Sequence, residues 1–136
     1  MKVVLDTNVI IASFASRGLC HSIFEICLDR TEIIISSFLM KELKTNLSKK
    51  LQLPQQLITD TIEFLSKNAI SIEIDTYPKD ICRDADDAKV LALACKSNAA
   101  YLITGDKELL DLKKYKDTKI ISPRQFWEIL KKQKPT

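Results

Sequence analysis

Histidine and glycine are nearly missing from this chain of 136 residues, which has one histidine, His21, and two glycines, Gly18 and Gly105. A lone imidazole excludes the metal-free ribonuclease chemistry in which two histidines share the acid and base roles. With glycine so scarce, Gly18 and Gly105 are each expected to mark a tight turn. The four cysteines, Cys20, Cys27, Cys82 and Cys95, show no C-x-x-C spacing, and only His21 could join them at a metal, so a zinc site is not expected. Buried, reduced thiols account for them. No segment approaches the ~20 apolar residues of a membrane span. Lys2 is followed by only a short apolar run before Asp6, which is unlike an export signal. A cytoplasmic protein with no membrane contact is the expectation. Internal repeats and low-complexity linkers are also lacking.

What is present suits one domain over residues 1–136, with a Lys-rich tail at 131–136 expected to fray. Hydrophobic residues make up 46% and charged residues 29%, enough apolar content to bury a core. The net charge of +3 is mild, but its distribution is uneven. Lys41, Lys44, Lys49 and Lys50 form one basic group, and Lys113, Lys114, Lys116 and Lys119 a second. Arg124, Lys131, Lys132 and Lys134 form a third. Solvated helix faces produce such runs, and basic flanks around an acidic centre are also what a phosphodiester requires.

Apolar runs of strand length, at 2–5, 32–35, 70–74, 100–103 and 118–121, alternate with helix-spaced stretches at 21–29, 37–49, 55–67, 87–98 and 124–132. Ser36 or Ser37 is expected to cap the helix bearing Glu42, Pro54 to open the next, and Ser122-Pro123 the last. This alternation predicts an α/β fold, a three-layer α/β/α sandwich around a mainly parallel sheet of four to five strands. In such sheets, sites lie beyond the carboxyl ends of the strands.

Acids fall at those ends. Asp6 follows the run Val3-Val4-Leu5, and Asp106 follows Tyr101-Leu102-Ile103-Thr104-Gly105. Asp84, Asp86 and Asp87 precede a helical pattern, and Glu42 lies in the helix after the second strand. Each has an ordinary explanation: Asp6, Asp84 and Asp106 as caps, Asp86 and Asp87 as first-turn acids suiting a helix dipole, Glu42 as a surface residue. Converging, they would repel by roughly 4 kcal/mol per pair ~4 Å apart, which protons or a hard divalent cation relieve. Asp87 is the first choice among the three clustered acids because it starts the register of Val90, Leu91 and Ala94, with Asp84 and Asp86 as auxiliaries. Asn8 is placed to orient the Asp6 carboxylate, and the Thr104 hydroxyl to hold a water or phosphate oxygen. Gly105 would permit close backbone approach, Arg83 would balance the acids, and Asp75 is a spare acid left at the surface.

Asp6-Thr7-Asn8-Val9, Glu42, the segment RDADDAKVLALA and finally YLITGDKELL resemble, in order and spacing, the PIN-domain family. The group most similar comprises the toxin components of bacterial and archaeal toxin–antitoxin systems, the VapC-like ribonucleases. The resemblance implies an α/β/α sandwich and Mg²⁺- or Mn²⁺-dependent cleavage of RNA leaving a 5′-phosphate and a 3′-hydroxyl. It implies an acidic quartet at Asp6, Glu42, Asp87 and Asp106, with Thr104 and Asn8 as polar partners. It also implies an antitoxin partner and a homodimer. Alanine stands at Ala85 where this group often has proline.

Two other readings use the same acids. A haloacid-dehalogenase-type phosphatase would use Asp6 as nucleophile, with Gly105-Asp106 and Asp111 as its metal end, but Asn8 stands where a second acid is needed. A receiver-like domain, or a non-catalytic PIN module binding RNA or protein, would keep the pocket without the chemistry.

Overall fold

Strands of three or four aliphatic residues bury both faces when helices cover them, and four short runs here do so. They are β1 (Lys2–Leu5), β2 (Glu32–Ile35), β4 (Tyr101–Ile103) and β6 (Thr118–Ile121). The computed structural model describes residues 1–133, and the remaining part of the expected frayed tail, 134–136, lies outside them. Two short strands complete the sheet, β3 (Ile70–Ser71) and β5 (Lys114–Tyr115). Among the described residues the helices are α1 (Thr7–Ala15), α2 (Leu19–Arg30), α3 (Ser37–Lys49), α4 (Gln55–Asn68), α5 (Ala85–Ser97), α6 (Lys107–Leu112) and α7 (Pro123–Lys132).

The sheet runs β3-β2-β1-β4-β6-β5, with every pairing parallel except the antiparallel β5–β6 hairpin. From β1 the chain winds outward through β2 and β3, then returns to β4 on the other side, so strand order reverses between β1 and β4. A crevice opens at the carboxyl ends there. Residue parity sorts the two faces. Val3, Leu5, Ile33, Ile35 and Ile103 pack with residues of α1, α2, α3, α4 and α7. Val4, Ile34, Leu102 and Ile120 pack with residues of α5 and α6 and with Leu39. The three-layer α/β/α sandwich is as expected.

Several details differ. The sheet has six strands, because Lys114–Tyr115 forms a two-residue strand too short and polar to show alternation. Only Ile70–Ser71 of the expected 70–74 strand is in register with β2, with the Ile72 N–H donating a last bond to Ile35 O at 2.9 Å; the Ile72 and Ile74 side chains pack on the α5 side. Helix α1 was not among the expected helical stretches, though a cap role for Asp6 implied a helix after it; its Val9-Ile10-Ile11 run is β-branched and favours strand. Lys131 and Lys132, expected in the Lys-rich tail, complete the last turn of α7, where cations suit the dipole.

The caps divide similarly. Ser122 and Gln125 form a full capping box on α7. At α3 neither Ser36 nor Ser37 caps with its own side chain; Glu73 Oε1 accepts from the Ser37 N–H at 2.8 Å and from both hydroxyls. Neither glycine has a positive φ, and a Cβ on Gly105 would meet nothing within 4 Å. The left-handed positions belong instead to Gln52, Asn98, Lys113 and Lys116. All four cysteines are free, with Cys27 buried and the others half-buried. No single helix among the described residues is long and apolar enough to cross a membrane.

Candidate active site

Asp6 leaves the end of β1 as the residue before α1, and its backbone N–H donates to Ile103 O of β4 at 2.9 Å. That bond sits at the strand-order reversal and draws the start of the Thr104-Gly105-Asp106 turn beside Asp6. Thr104 is fully buried. Its hydroxyl donates to Asp6 Oδ2 at 2.7 Å and accepts from the Asp106 N–H at 3.0 Å. One hydroxyl thus ties the two acids from β1 and β4 together. It is consumed in doing so, so Thr104 does not reach out to a water or phosphate oxygen as the sequence suggested.

Asp106 caps α6, its Oδ1 accepting from the Leu109 N–H at 3.2 Å. Asp84 caps α5, its Oδ1 accepting from the Asp86 N–H at 2.8 Å. Asp87 lies in the first turn of the same helix, half-buried. Its carboxyl is pushed up to about 7, first by burial and then by the charges of Asp106, Asp84, Asp6 and Glu108. Asp6 is raised by burial, against the Thr104 hydrogen bond, with Asp106 and Asp84 adding to the rise. Glu42 is raised by burial, then by Asp86, Asp6 and Asp84. The same acids recur as one another's perturbers, which places Asp6, Glu42, Asp84, Asp86, Asp87 and Asp106 around one edge of the sheet.

Most other expected participants have partners outside the acid cluster, and Asp86 lies at its exposed rim. Asn8 is exposed, and its Oδ1 accepts from Lys50 Nζ at 3.4 Å; no hydrogen bond joins it to Asp6. Asp86 is exposed and pairs with Lys89 at 4.0 Å. Arg83 forms no ion pair among the described residues; it contributes its backbone N–H, which donates to Glu108 Oε1 at 2.8 Å. Asp75 is an exposed acid paired with Lys96. His21 lies on α2, between Ser13 O and Glu25.

Sequence reasoning missed two residues. Glu108 joins the acids around Asp87, and its signal was its place two residues after Asp106 in the first turn of α6. Thr7 is 1% exposed, and its Oγ1 has no hydrogen-bond partner of ordinary geometry. It lies against Glu42, where it opposes the upward shift of that carboxyl. A threonine following a strand-end aspartate gives no sign of this, because its partner comes from α3.

The donor set is wholly oxygen, which is what a hard divalent cation accepts. Among the described residues, however, no three of these side chains stand close enough together to enclose an ion as placed. An ion that keeps several waters, as Mg²⁺ does, is compatible with so open an arrangement. The donor chemistry fits, without a closed cage.

A family model described as PIN domain matches residues 2–108, which include all these acids, and the chain belongs to that family. It is 29% identical over 147 residues to the uncharacterized protein MJ1680 of Methanocaldococcus jannaschii, with 97% of this chain and 93% of that protein covered. Two solved structures share the fold. The crystal structure of VapBC2 from Rickettsia felis, bound to a DNA fragment from their promoter, matches with a TM-score of 0.65 and 21% identity over 90% of this chain and 98% of that one. The structure of VapBC-1 from nontypeable Haemophilus influenzae matches with a TM-score of 0.63 and 20% identity over 91% and 99%.

Proposed function

We propose that this protein is a divalent-metal-dependent endoribonuclease, the toxin of a toxin–antitoxin pair, acting in the cytoplasm as one PIN-like domain over residues 1–136. The observation that carries the reading is the tie of Asp6 and Asp106 through the Thr104 hydroxyl, with Asp87 pushed up to about 7 beside them. Membership of the PIN family supports it, and the likeness to the two VapBC structures supports the toxin assignment by fold.

In this reading Asp6, Asp87 and Asp106, helped by Glu42, hold Mg²⁺ or Mn²⁺, with Asp84 and Asp86 as auxiliary charge. When bound, the ion supplies Lewis-acid stabilisation of the charge that develops on the phosphodiester. The chain's own part is positioning. Thr104 fixes the Asp6 carboxylate from behind, and the caps made by Asp84 and Asp106 fix the starts of α5 and α6. Asn8, exposed at the rim, contributes polarity there. Water attacks phosphorus and the bond to the 3′ oxygen breaks, leaving a 5′-phosphate and a 3′-hydroxyl. An antitoxin segment reaching the acidic cleft and a homodimer complete the proposal.

The open acid arrangement favours one second reading, a non-catalytic module that binds RNA or protein. The phosphatase alternative is disfavoured by family membership and by Asn8 standing where its second acid is needed. An RNA panel incubated with Mg²⁺, Mn²⁺ or EDTA separates these readings. Metal-dependent cleavage, abolished in both Asp6→Asn and Asp106→Asn at unchanged circular dichroism, is expected. Cleavage surviving in either variant, or absent from the parent with every metal, would overturn the proposal.

A further inference from the structure

Three lysines of the second basic group, Lys113, Lys114 and Lys119, line a single groove, and Lys116 lies outside it. Beyond α6 the chain turns at Lys113 into the β5–β6 hairpin, and an open groove of about 700 Å³ lies between that hairpin and the start of α7. Its floor is apolar, from Leu110, Ile120 and Ile121, while Lys113, Lys114 and Lys119 with Ser122 and Gln125 supply its polar groups, and no carboxylate lines it. All three lysines are exposed, and none forms an ion pair among the described residues. The nearest acids in sequence, Asp111 and Asp117, do not line the groove.

Two features of this hairpin run against local preference. Lys114 and Lys119 are directly opposite in the antiparallel register, so two like charges share one face. Lys113 has φ 62 and Lys116 has φ 53, the left-handed region where glycine or asparagine is at ease and a lysine is strained. Lys116 leads the two-residue turn between the strands, a position where tight hairpins prefer glycine. A sequence shaped by the hairpin alone would avoid each of these. A polyanion in the groove would relieve the like-charge pair of Lys114 and Lys119.

The groove also sits where a substrate strand would pass. It begins at Ile121 and Ser122, and Ile121 O accepts from the Thr104 N–H at 3.0 Å. Helix α6, six residues and so about 9 Å long, separates Asp106 from Lys113. The groove lies outside residues 2–108, the part of the chain that the family model matches.

We infer that the groove of Lys113, Lys114 and Lys119 binds the phosphate backbone of single-stranded RNA next to the bond being cut. This rests on the nuclease reading and adds to it the path of the substrate. Lysines on an edge strand also prevent strand-to-strand association, and the test must separate that role.

The experiment measures binding of a labelled, unstructured RNA by fluorescence anisotropy in EDTA, across a salt series, with the RNA checked intact on a gel. The parent is compared with Lys113→Gln/Lys114→Gln/Lys119→Gln and with Arg30→Gln/Lys67→Gln/Lys131→Gln. The control variant removes equal charge at the ends of α2, α4 and α7, at the opposite edge of the sheet. The groove variant is expected to bind at least tenfold more weakly and to lose about 2 from its log–log salt slope, three contacts at roughly 0.7 each. The control variant should stay near the parent. The groove variant should melt no lower than the parent, since it loses like-charge repulsion.

Equal weakening in both variants would reduce the effect to net charge and overturn the inference. Unchanged RNA affinity with new self-association would assign the lysines to edge protection and overturn it as well. Unchanged RNA affinity with weaker binding of polyglutamate would give the groove to an acidic protein segment instead. A parent that neither binds nor cuts RNA would overturn the nuclease reading itself, whereas a parent that cuts RNA with an indifferent groove variant would overturn only this one.

Discussion

Replacing Thr104 by valine removes one oxygen and little volume, so it isolates what that hydroxyl does. The hydroxyl donates to Asp6 Oδ2 and accepts from the Asp106 N–H inside a fully buried position that water cannot refill. A hydrogen bond to a charged group contributes about 1.5–3 kcal/mol and a neutral one about 0.5–1.5 kcal/mol. The variant should therefore lose about 2–4 kcal/mol. For a chain of this length that is about 6–12 °C of melting temperature. The loss should depend on pH. The Thr104 bond lowers the Asp6 carboxyl, so its contribution is present where Asp6 is ionised and shrinks as acid protonates it. Thr104→Ser, which keeps the hydroxyl, is the control. Metal-free melting of the two variants at pH 8 and pH 4.5 should show a gap that narrows in acid, with RNA cleavage falling at least tenfold only in the valine variant. Equal melting of the valine and serine variants at pH 8 would refute the reasoning.

Asp87→Asn should stabilise the metal-free protein at pH 8 while abolishing cleavage, because a carboxyl held up to about 7 is destabilising once ionised. The sign follows from a folded value above the ordinary aspartate value of 3.8: stability from this group is full in acid and is lost as pH rises through about 7. The metal-free parent should thus melt higher at pH 5 than at pH 8, and a flat profile over that interval would count against the cluster. Adding Mg²⁺ or Mn²⁺ at pH 8 should raise the melting temperature of the parent and leave that of Asp106→Asn unchanged, by mass action on the folded state; a shift equal in both would move the ion elsewhere. Glu73→Gln should lose no more than about 1 kcal/mol, because the cap on α3 is solvent-exposed, and should leave the cleavage rate unchanged. Since the Glu73 carboxyl is held low by the Ser37 N–H and hydroxyl, its contribution should vanish as pH falls below the ordinary glutamate range, opposite in sign to Asp87. Urea melts at pH 3 and pH 7 would show this.

The alternation of buried strands with amphipathic helices made the sandwich legible, because each strand needs cover on both faces and each helix supplies one apolar stripe. What escaped was decided by tertiary context. Val9-Ile10-Ile11 has strand propensity, yet it forms helix because α1 buries all three residues against the sheet and its neighbours. Lys114–Tyr115 becomes a strand only because β6 is there to pair with it. At the site, the strand-end acids could be placed from sequence because a parallel sheet collects them. The acids do recur as one another's perturbers in the folded chain. The roles of Thr104 and Thr7 could not be read, since each depends on a partner from another element. Asn8 shows the same limit from the other side, turned toward Lys50 rather than Asp6.

The positions of the acids also show how the fold offsets part of so much negative charge. Asp6, Asp84 and Asp106 are each the residue that opens a helix, α1, α5 and α6, and all three helices start at the same edge of the sheet. A charge at a helix N-terminus gains about 0.3–1 kcal/mol from the dipole, so the three together gain about 1–3 kcal/mol. Two carboxylates roughly 8 Å apart repel by about 2 kcal/mol at an effective dielectric of 20. The dipoles therefore offset about one pairwise repulsion, and a cluster of this size contains several. Asp87, which opens no helix, is pushed up to about 7, first by burial and then by its share of this repulsion. A fold that needed only caps would have no reason to add Asp87 and Glu42 to that edge. Their presence leaves a deficit that protons can relieve in acid and that, near neutral pH, a divalent cation is suited to relieve.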